Sequence, residues 1–174
     1  ERPNSVEESA LRSTLLSLQT KEQIYQPAYA VLDLGGTVTY STERSSIGTS
    51  EADTSYFQSV SSTGISHVSP VEFPTNSSSG FIYFISPIKS ESAQIVGYLR
   101  SRYDARILQS ILDNNLGLIG NRSYPILLDE NGLRLADGFS PNSINHLVSE
   151  LPKETFDALL SKNPIPSTMP YEKI

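Results

Sequence analysis

Two arginines, Arg100 and Arg102, close the apolar run IVGYLRSRYD that begins at Ile95. In an extended strand, residues two apart share a face, so both guanidinium groups and the ring of Tyr98 point the same way. A guanidinium carries forked donors that match a carboxylate and a flat surface that stacks on aromatic rings. A buried arginine also requires a partner, because an unpaired charge in a core is very costly. Two partners meet that demand: an internal salt bridge to Asp53, Asp104 or a helix glutamate, the more common arrangement, or a small anionic ligand. Symmetric pairing of the surrounding hairpin about Glu91 sets Arg100 across from Tyr83, Arg102 across from Phe81 and Tyr98 across from Ile85. A slip of one residue would turn both arginines to the opposite face. Tyr56, on a short predicted helix with Phe57, is a candidate wall of the same pocket, with Phe57 assigned to the core. His67 joins the set as a pocket candidate from a neighbouring strand. The candidate ligand-binding residues are therefore Tyr56, His67, Tyr83, Tyr98, Arg100 and Arg102.

Other chemistry is poorly supported. His67 and His146 lie far apart with no cysteine in the chain, so no metal-ligand spacing exists and no metal or cofactor is expected. Ser86-Pro87-Ile88-Lys89 matches Ser-x-x-Lys, but a proline sits inside it and the companion motifs are missing. No phosphate-binding glycine loop, Gly-x-Ser-x-Gly or His-Glu-x-x-His occurs, so the chain reads as a non-enzyme. The formal charge of -6 argues against nucleic acid as a partner. No run reaches the length of a transmembrane helix and no signal peptide is visible. Plentiful serine and threonine with sparse lysine lean towards export, and the triplets at Asn76 and Asn121 fit the glycosylation sequon without weighing much. The polar, abrupt start suggests a soluble piece of something longer.

The elements that must position the arginines follow from periodicity. Leu11, Leu15 and Leu18 predict an amphipathic helix over Glu7 to Gln26, stopped by Pro27. Two short strands flank Asp33-Leu34-Gly35-Gly36, and residues 41–52 read as polar loop. Asp53 is the expected N-cap of a helix carrying Tyr56, Phe57 and Val60 and ended by Gly64. Ile65 to Phe73 alternates as a third strand. Phe81 to Ile88 and Ala93 to Tyr103 then predict a long antiparallel hairpin, central in its sheet and covered on both faces. Beyond it, Ile107, Leu108, Ile111 and Leu112 mark a helix ending near Asn114.

Tyr124 to Leu135 then echoes the strand-Asp-x-x-Gly-strand pattern that begins at Tyr29, with Asp129 following Asp33 by 96 residues. Asp33 and Asp129 are expected to close turns. The echo predicts two copies of one small module, the second without a counterpart of the central hairpin. Helices are expected at Ser143 to Leu151 and Lys153 to Ser161, ahead of a proline-rich tail.

This arrangement resembles the Cache family, the PAS-like sensor modules found outside the cytoplasmic membrane of bacteria. The resemblance covers residues 7–138 and rests on Asp33 and Gly36, Tyr56-Phe57, Ser86-Pro87-Ile88, and Gly97 with the apolar residues after it. It implies an α+β fold, a PAS-like antiparallel sheet flanked by helices with a long N-terminal helix. In the double-Cache form, residues 1–104 would be a membrane-distal module, 105–120 a linking helix and 121–174 a partial membrane-proximal module. It further implies the extracytoplasmic, ligand-sensing part of a bacterial receptor: a chemoreceptor, histidine kinase or cyclase. Such a receptor is tethered to the membrane and completed by output domains outside this chain, with homodimerisation left open. Its partner would be a small molecule, whose binding shifts the packing of the N-terminal helix. Family members that bind free amino acids carry an aspartate where Arg102 stands, and an Arg-x-Trp element that is missing near Tyr56. This departure argues against a free amino acid, and the two arginines suit a small anion such as a carboxylate instead. Two rivals stand beside this reading: a ligand-free Cache module that spaces or dimerises a receptor, and a cytoplasmic PAS-type interaction module.

Overall fold

The computed structural model describes residues 5–21, 25, 27–74, 79–117, 120 and 123–161. The chain divides into two compact units, Glu1–Ser69 with Ile82–Tyr103, and Pro70–Phe81 with Asp104–Ile174. Among the described residues there are four α-helices, and none is long and apolar enough to cross a membrane.

The first unit begins with helix α1 (Ser5–Lys21), which lies against strands β1 (Ala28–Leu32) and β2 (Val38–Ser41). Among the described side chains of α1, Leu15 is buried, in keeping with the predicted apolar stripe. Helix α2 (Ser55–Thr63) and strands β3 (His67–Val68), β4 (Phe81–Lys89) and β5 (Ile95–Asp104) follow. The sheet has the order β2-β1-β5-β4-β3, so the arginine-bearing β5 occupies its centre. β4 and β5 meet at a tight turn in which the Ala93 N–H donates to the Ser90 carbonyl.

Register explains how two arginines fit inside. Ala28 lies opposite Arg102, Ala30 opposite Arg100 and Leu32 opposite Tyr98. Residues directly opposite share a face, and the two small alanines leave room beside the long arginine side chains. Leu32, Val38 and Ile85 complete the apolar part of this face, each no more than 1% exposed. Tyr56, Phe57 and Val60 close it from above, all on one side of α2.

Several expectations need correction. The hairpin is not covered on both faces: Phe84, which alternation turns away from the face of Tyr83 and Ile85, stands exposed, and so does Val96 near the hairpin turn. The third strand shrinks to His67–Val68 plus a single bridge between Glu72 and Phe81. Pro70, which has no N–H, lies between the two paired parts of that stretch. Thr54, not Asp53, caps α2, its hydroxyl accepting from the Phe57 N–H. Gly64 ends the helix in the left-handed conformation, as expected.

In the second unit, helix α3 (Arg106–Asp113) precedes a two-stranded antiparallel sheet, β6 (Ile126–Leu128) and β7 (Arg134–Asp137), and helix α4 (Lys153–Ser161) follows. Its core is Phe73, Leu133 and Leu147, with Val71, Leu135, Leu151, Phe156 and Leu159 packed around them. The expected helix at Ser143 to Leu151 is absent. Instead Pro141–Ser143 forms one 3-10 turn, Asn145 takes a positive φ, and the chain bonds back onto β7 through Asn145 N–H to the Arg134 carbonyl. Leucine spacing in that stretch serves this hooked segment: Leu147 is buried opposite Leu133.

The echo between the two halves is one of structure as well as sequence. Asp33 Oδ1 accepts from the Gly35 and Thr37 N–H groups, and Asp129 Oδ1 accepts from those of Asn131 and Leu133. Gly36 and Gly132 hold φ of 84° and 79°, a region that a Cβ disfavours. A 3-10 turn and a hook onto the second strand recur after each: Gly48 N–H donates to Val38, as Asn145 N–H does to Arg134. The sequons at Asn76 and Asn121 and the proline-rich tail lie outside the described residues.

Candidate functional site

The centre of the first unit's inner face is a charged cluster that α2, β4, β5 and the 42–54 loop assemble. Arg100 is only 2% exposed. Its Nη2 donates to Glu51 Oε1 at 2.6 Å and its Nε to Glu51 Oε2 at 3.3 Å. The Tyr56 hydroxyl donates to the same Glu51 Oε2 at 3.0 Å. The Tyr56 and Tyr83 rings stack with centroids 4.4 Å apart, and the Arg100 guanidinium carbon lies 5.9 Å from the Tyr83 centroid. Three of the predicted residues, Tyr56, Tyr83 and Arg100, thus meet around one carboxylate.

The remaining three are placed differently. Tyr98 is buried on the same face, where its ring takes the edge of Phe57 at 5.2 Å and closes the core below the cluster. Arg102 reaches the rim and pairs with Glu43 at 2.5 Å, its side chain 27% exposed. His67 lies on the edge strand opposite Ile85, half-buried.

The acid partners are Glu51 and Glu43, both from the loop that reads as featureless in sequence. Asp104 pairs instead with Arg106, and Asp53 is exposed. The signal that could have found the glutamates is their position. A loop running from β2 across the inner face to α2 passes over Arg102 and then Arg100, and of its three acids Glu43 and Glu51 face the arginines while Asp53 does not. Burial of a second arginine was also missed: Arg134 and Asp137 of β7 lie 3.6 Å apart, each side chain 4% exposed.

Electrostatics follow from burial and that one acid. Burial works against the Arg100 charge, but the hydrogen bond and field of Glu51 outweigh it and hold its pKa above the ordinary value. Burial, reinforced by the negative Glu51, pushes the Tyr56 phenol far above its usual range. One donor group is left over: Arg100 Nη1 is buried and makes no hydrogen bond among the described residues. An unsatisfied buried donor costs about 1–3 kcal/mol, more for a charged one. Two hollows lie elsewhere: an open groove of about 520 Å³ lined by Glu8, Arg12, Tyr40 and Arg44 among others, and one of about 90 Å³ in the second unit beside Gln109 and Asn145. No group of acids, histidines or cysteines among the described residues could hold a metal ion.

The α+β fold is similar to that of several solved structures. The sensor domain of the histidine kinase DctB from V. cholerae superposes with a TM-score of 0.68 at 20% identity, covering 97% of this chain and 62% of that one. The ligand-binding domain of the Campylobacter jejuni chemoreceptor Tlp3, bound to 4-methylisoleucine, gives 0.60 at 15% identity over 80% of this chain and 54% of that one. That of the Pseudomonas aeruginosa amino acid chemoreceptor PctC, bound to GABA, gives 0.57 at 14% identity, covering 83% and 61%. The chain spans less than two thirds of each of these three. No family model matches the sequence, and no curated protein matches it. The fold is the PAS-like α+β fold of Cache-type sensor domains, as the sequence motifs indicated.

Proposed function

We propose that this chain is the ligand-sensing region of a membrane-tethered bacterial receptor, acting outside the cytoplasm, and that its first module binds a small carboxylate through Arg100. Residues 1–104 and 121–174 would be two modules of one design joined by residues 105–120, a division supported by the turn geometry repeated at Asp33 and Asp129. The chain itself performs no chemistry in this reading. Its output, whether kinase, chemoreceptor or cyclase, lies in other domains.

The observation that carries the reading is the spare Nη1 of Arg100, buried on a guanidinium that lies over the Tyr83 ring. A guanidinium in that state retains donors for a carboxylate, and the stacked rings of Tyr56 and Tyr83 would lie to one side of the ligand's carbon chain. A bound ligand would act by population shift, favouring one packing of α1 against the sheet over another. The test is a thermal-shift and calorimetric titration of the protein with mono- and dicarboxylates, repeated on Arg100→Lys, which keeps the charge and loses the fork. Saturable stabilisation of the parent, weakened at least ~10-fold by the substitution, is the expected result. Absence of stabilisation by every anion would instead favour the second reading, a ligand-free module that spaces or dimerises a receptor. The Tyr56–Tyr83 stack and the Phe57–Tyr98 contact, which fill the interior with the module's own side chains, speak for that alternative.

A further inference from the structure

We infer that Glu51 is a tethered stand-in for the ligand's carboxylate, seated on Arg100 when the site is empty and displaced when an external carboxylate arrives. This rests on the reading of Arg100 as the ligand anchor, and goes beyond it by naming the group that sets affinity and resting state.

Three donors converge on the Glu51 carboxylate: Arg100 Nε, Arg100 Nη2 and the Tyr56 hydroxyl. An external carboxylate in the same position receives the same three bonds and replaces one negative charge by another, so the exchange leaves the local charge unchanged. The Glu51 backbone cannot travel far. Its N–H is bonded to the Gly36 carbonyl, and its carbonyl receives both the N–H and the hydroxyl of Thr54. The move is therefore a swing of the side chain on a fixed main chain. It starts near the surface, since the Glu51 side chain is 12% exposed against 3% for Arg100.

The seat is imperfectly filled at rest. A tether of fixed length holds Oε2 at 3.3 Å from Nε, long for a charged pair, and leaves Nη1 without an acceptor. An untethered carboxylate is free to shift towards Nη1 and repair both defects. Because Thr54 caps α2 and Tyr56 lies in its first turn, release of Glu51 is felt at the start of that helix. Glu51 thus withholds affinity: the apparent binding constant falls by the fraction of molecules in which it has swung out.

Acetate, which matches the end of the glutamate side chain, is the probe. Melting temperature and affinity are measured for the parent protein, Glu51→Ala and Glu51→Gln over an acetate titration, with chloride at equal ionic strength as control. The expected result is saturable stabilisation of Glu51→Ala by acetate, with affinity raised at least ~10-fold over the parent. Combining Glu51→Ala with Arg100→Lys should abolish it. Equal or weaker acetate binding by both Glu51 variants than by the parent would overturn the stand-in role while leaving Arg100 as an anchor. Absence of acetate binding in all folded variants, with longer carboxylates also inert, would overturn the anchor reading and this inference with it. Should Glu51→Ala not fold, Glu51→Gln decides by the same comparison, since it keeps the shape and removes the charge.

Discussion

Replacing both members of the Arg100–Glu51 pair by methionine, singly and together, tests whether the cluster is as desolvated as its burial indicates. Arg100→Met leaves a carboxylate with 12% exposure and one remaining donor, the Tyr56 hydroxyl. Breaking a buried pair from one side costs about 3–5 kcal/mol. Glu51→Met is expected at the upper end of that range, because the guanidinium left behind is 3% exposed and cannot neutralise itself by losing a proton. The double variant removes both charges and strands only the Tyr56 hydroxyl, at about 1–3 kcal/mol. The two single losses should therefore exceed the double loss by several kcal/mol, a coupling far above the about 0–1 kcal/mol of an exposed pair. Arg102→Ala supplies that exposed reference, since Arg102 and Glu43 are 27% and 38% exposed. The assay is urea unfolding followed by circular dichroism and tyrosine fluorescence, the chain having nine tyrosines and no tryptophan. A coupling below ~1 kcal/mol would refute the argument, showing that water reaches the pair. The same quantity bears on binding, because a coupling of about 3 kcal/mol corresponds to roughly a hundredfold of affinity withheld by Glu51.

Three further outcomes are expected. Gly97→Ala should destabilise by about 1–3 kcal/mol, since its Cβ would meet the Leu32 carbonyl oxygen of the adjoining strand at 2.8 Å and backbone cannot easily yield. A melting temperature equal to the parent's would contradict that packing. Asp129→Ala should cost about 1–2 kcal/mol through loss of two backbone hydrogen bonds, Asp33→Ala somewhat less at its exposed turn, and Asp→Asn at either site should recover part of the loss by keeping the acceptor. Equal stability of alanine and asparagine variants in urea unfolding would rule out this turn mechanism. Finally, the Tyr56 phenol should stay neutral in the folded protein through alkaline pH at which exposed tyrosines ionise. Its folded pKa is raised, so the stability linked to it is full below the unfolded value of about 10 and declines as pH climbs above that. Spectrophotometric titration at 295 nm, compared with Tyr56→Phe, should show one late-titrating group missing from the variant. Identical alkaline curves would contradict the burial.

Local chemistry in the chain determined a great deal. Apolar β-branched and aromatic runs around KSES specify the hairpin, Gly-Gly and Asp-x-x-Gly specify the turns, and Gly64 specifies where α2 stops, because each depends on neighbours within a few residues. Arginines 100 and 102 were legible as a same-face pair for the same reason: a strand's period of two is a local property. The tertiary structure alone decided who answers them. Glu51 lies 49 residues from Arg100 and Glu43 lies 59 from Arg102, and no periodicity links a loop glutamate to a strand arginine across such distances. The same gap explains Ser143 to Leu151, whose leucine spacing suits a helix until hydrogen bonds to β7 claim its backbone. Spacing along the chain reports which groups share an element. Only the folding of loop onto sheet determines which charges are buried together, because the cost of desolvation is settled by what lies across the interior rather than by what lies next in sequence.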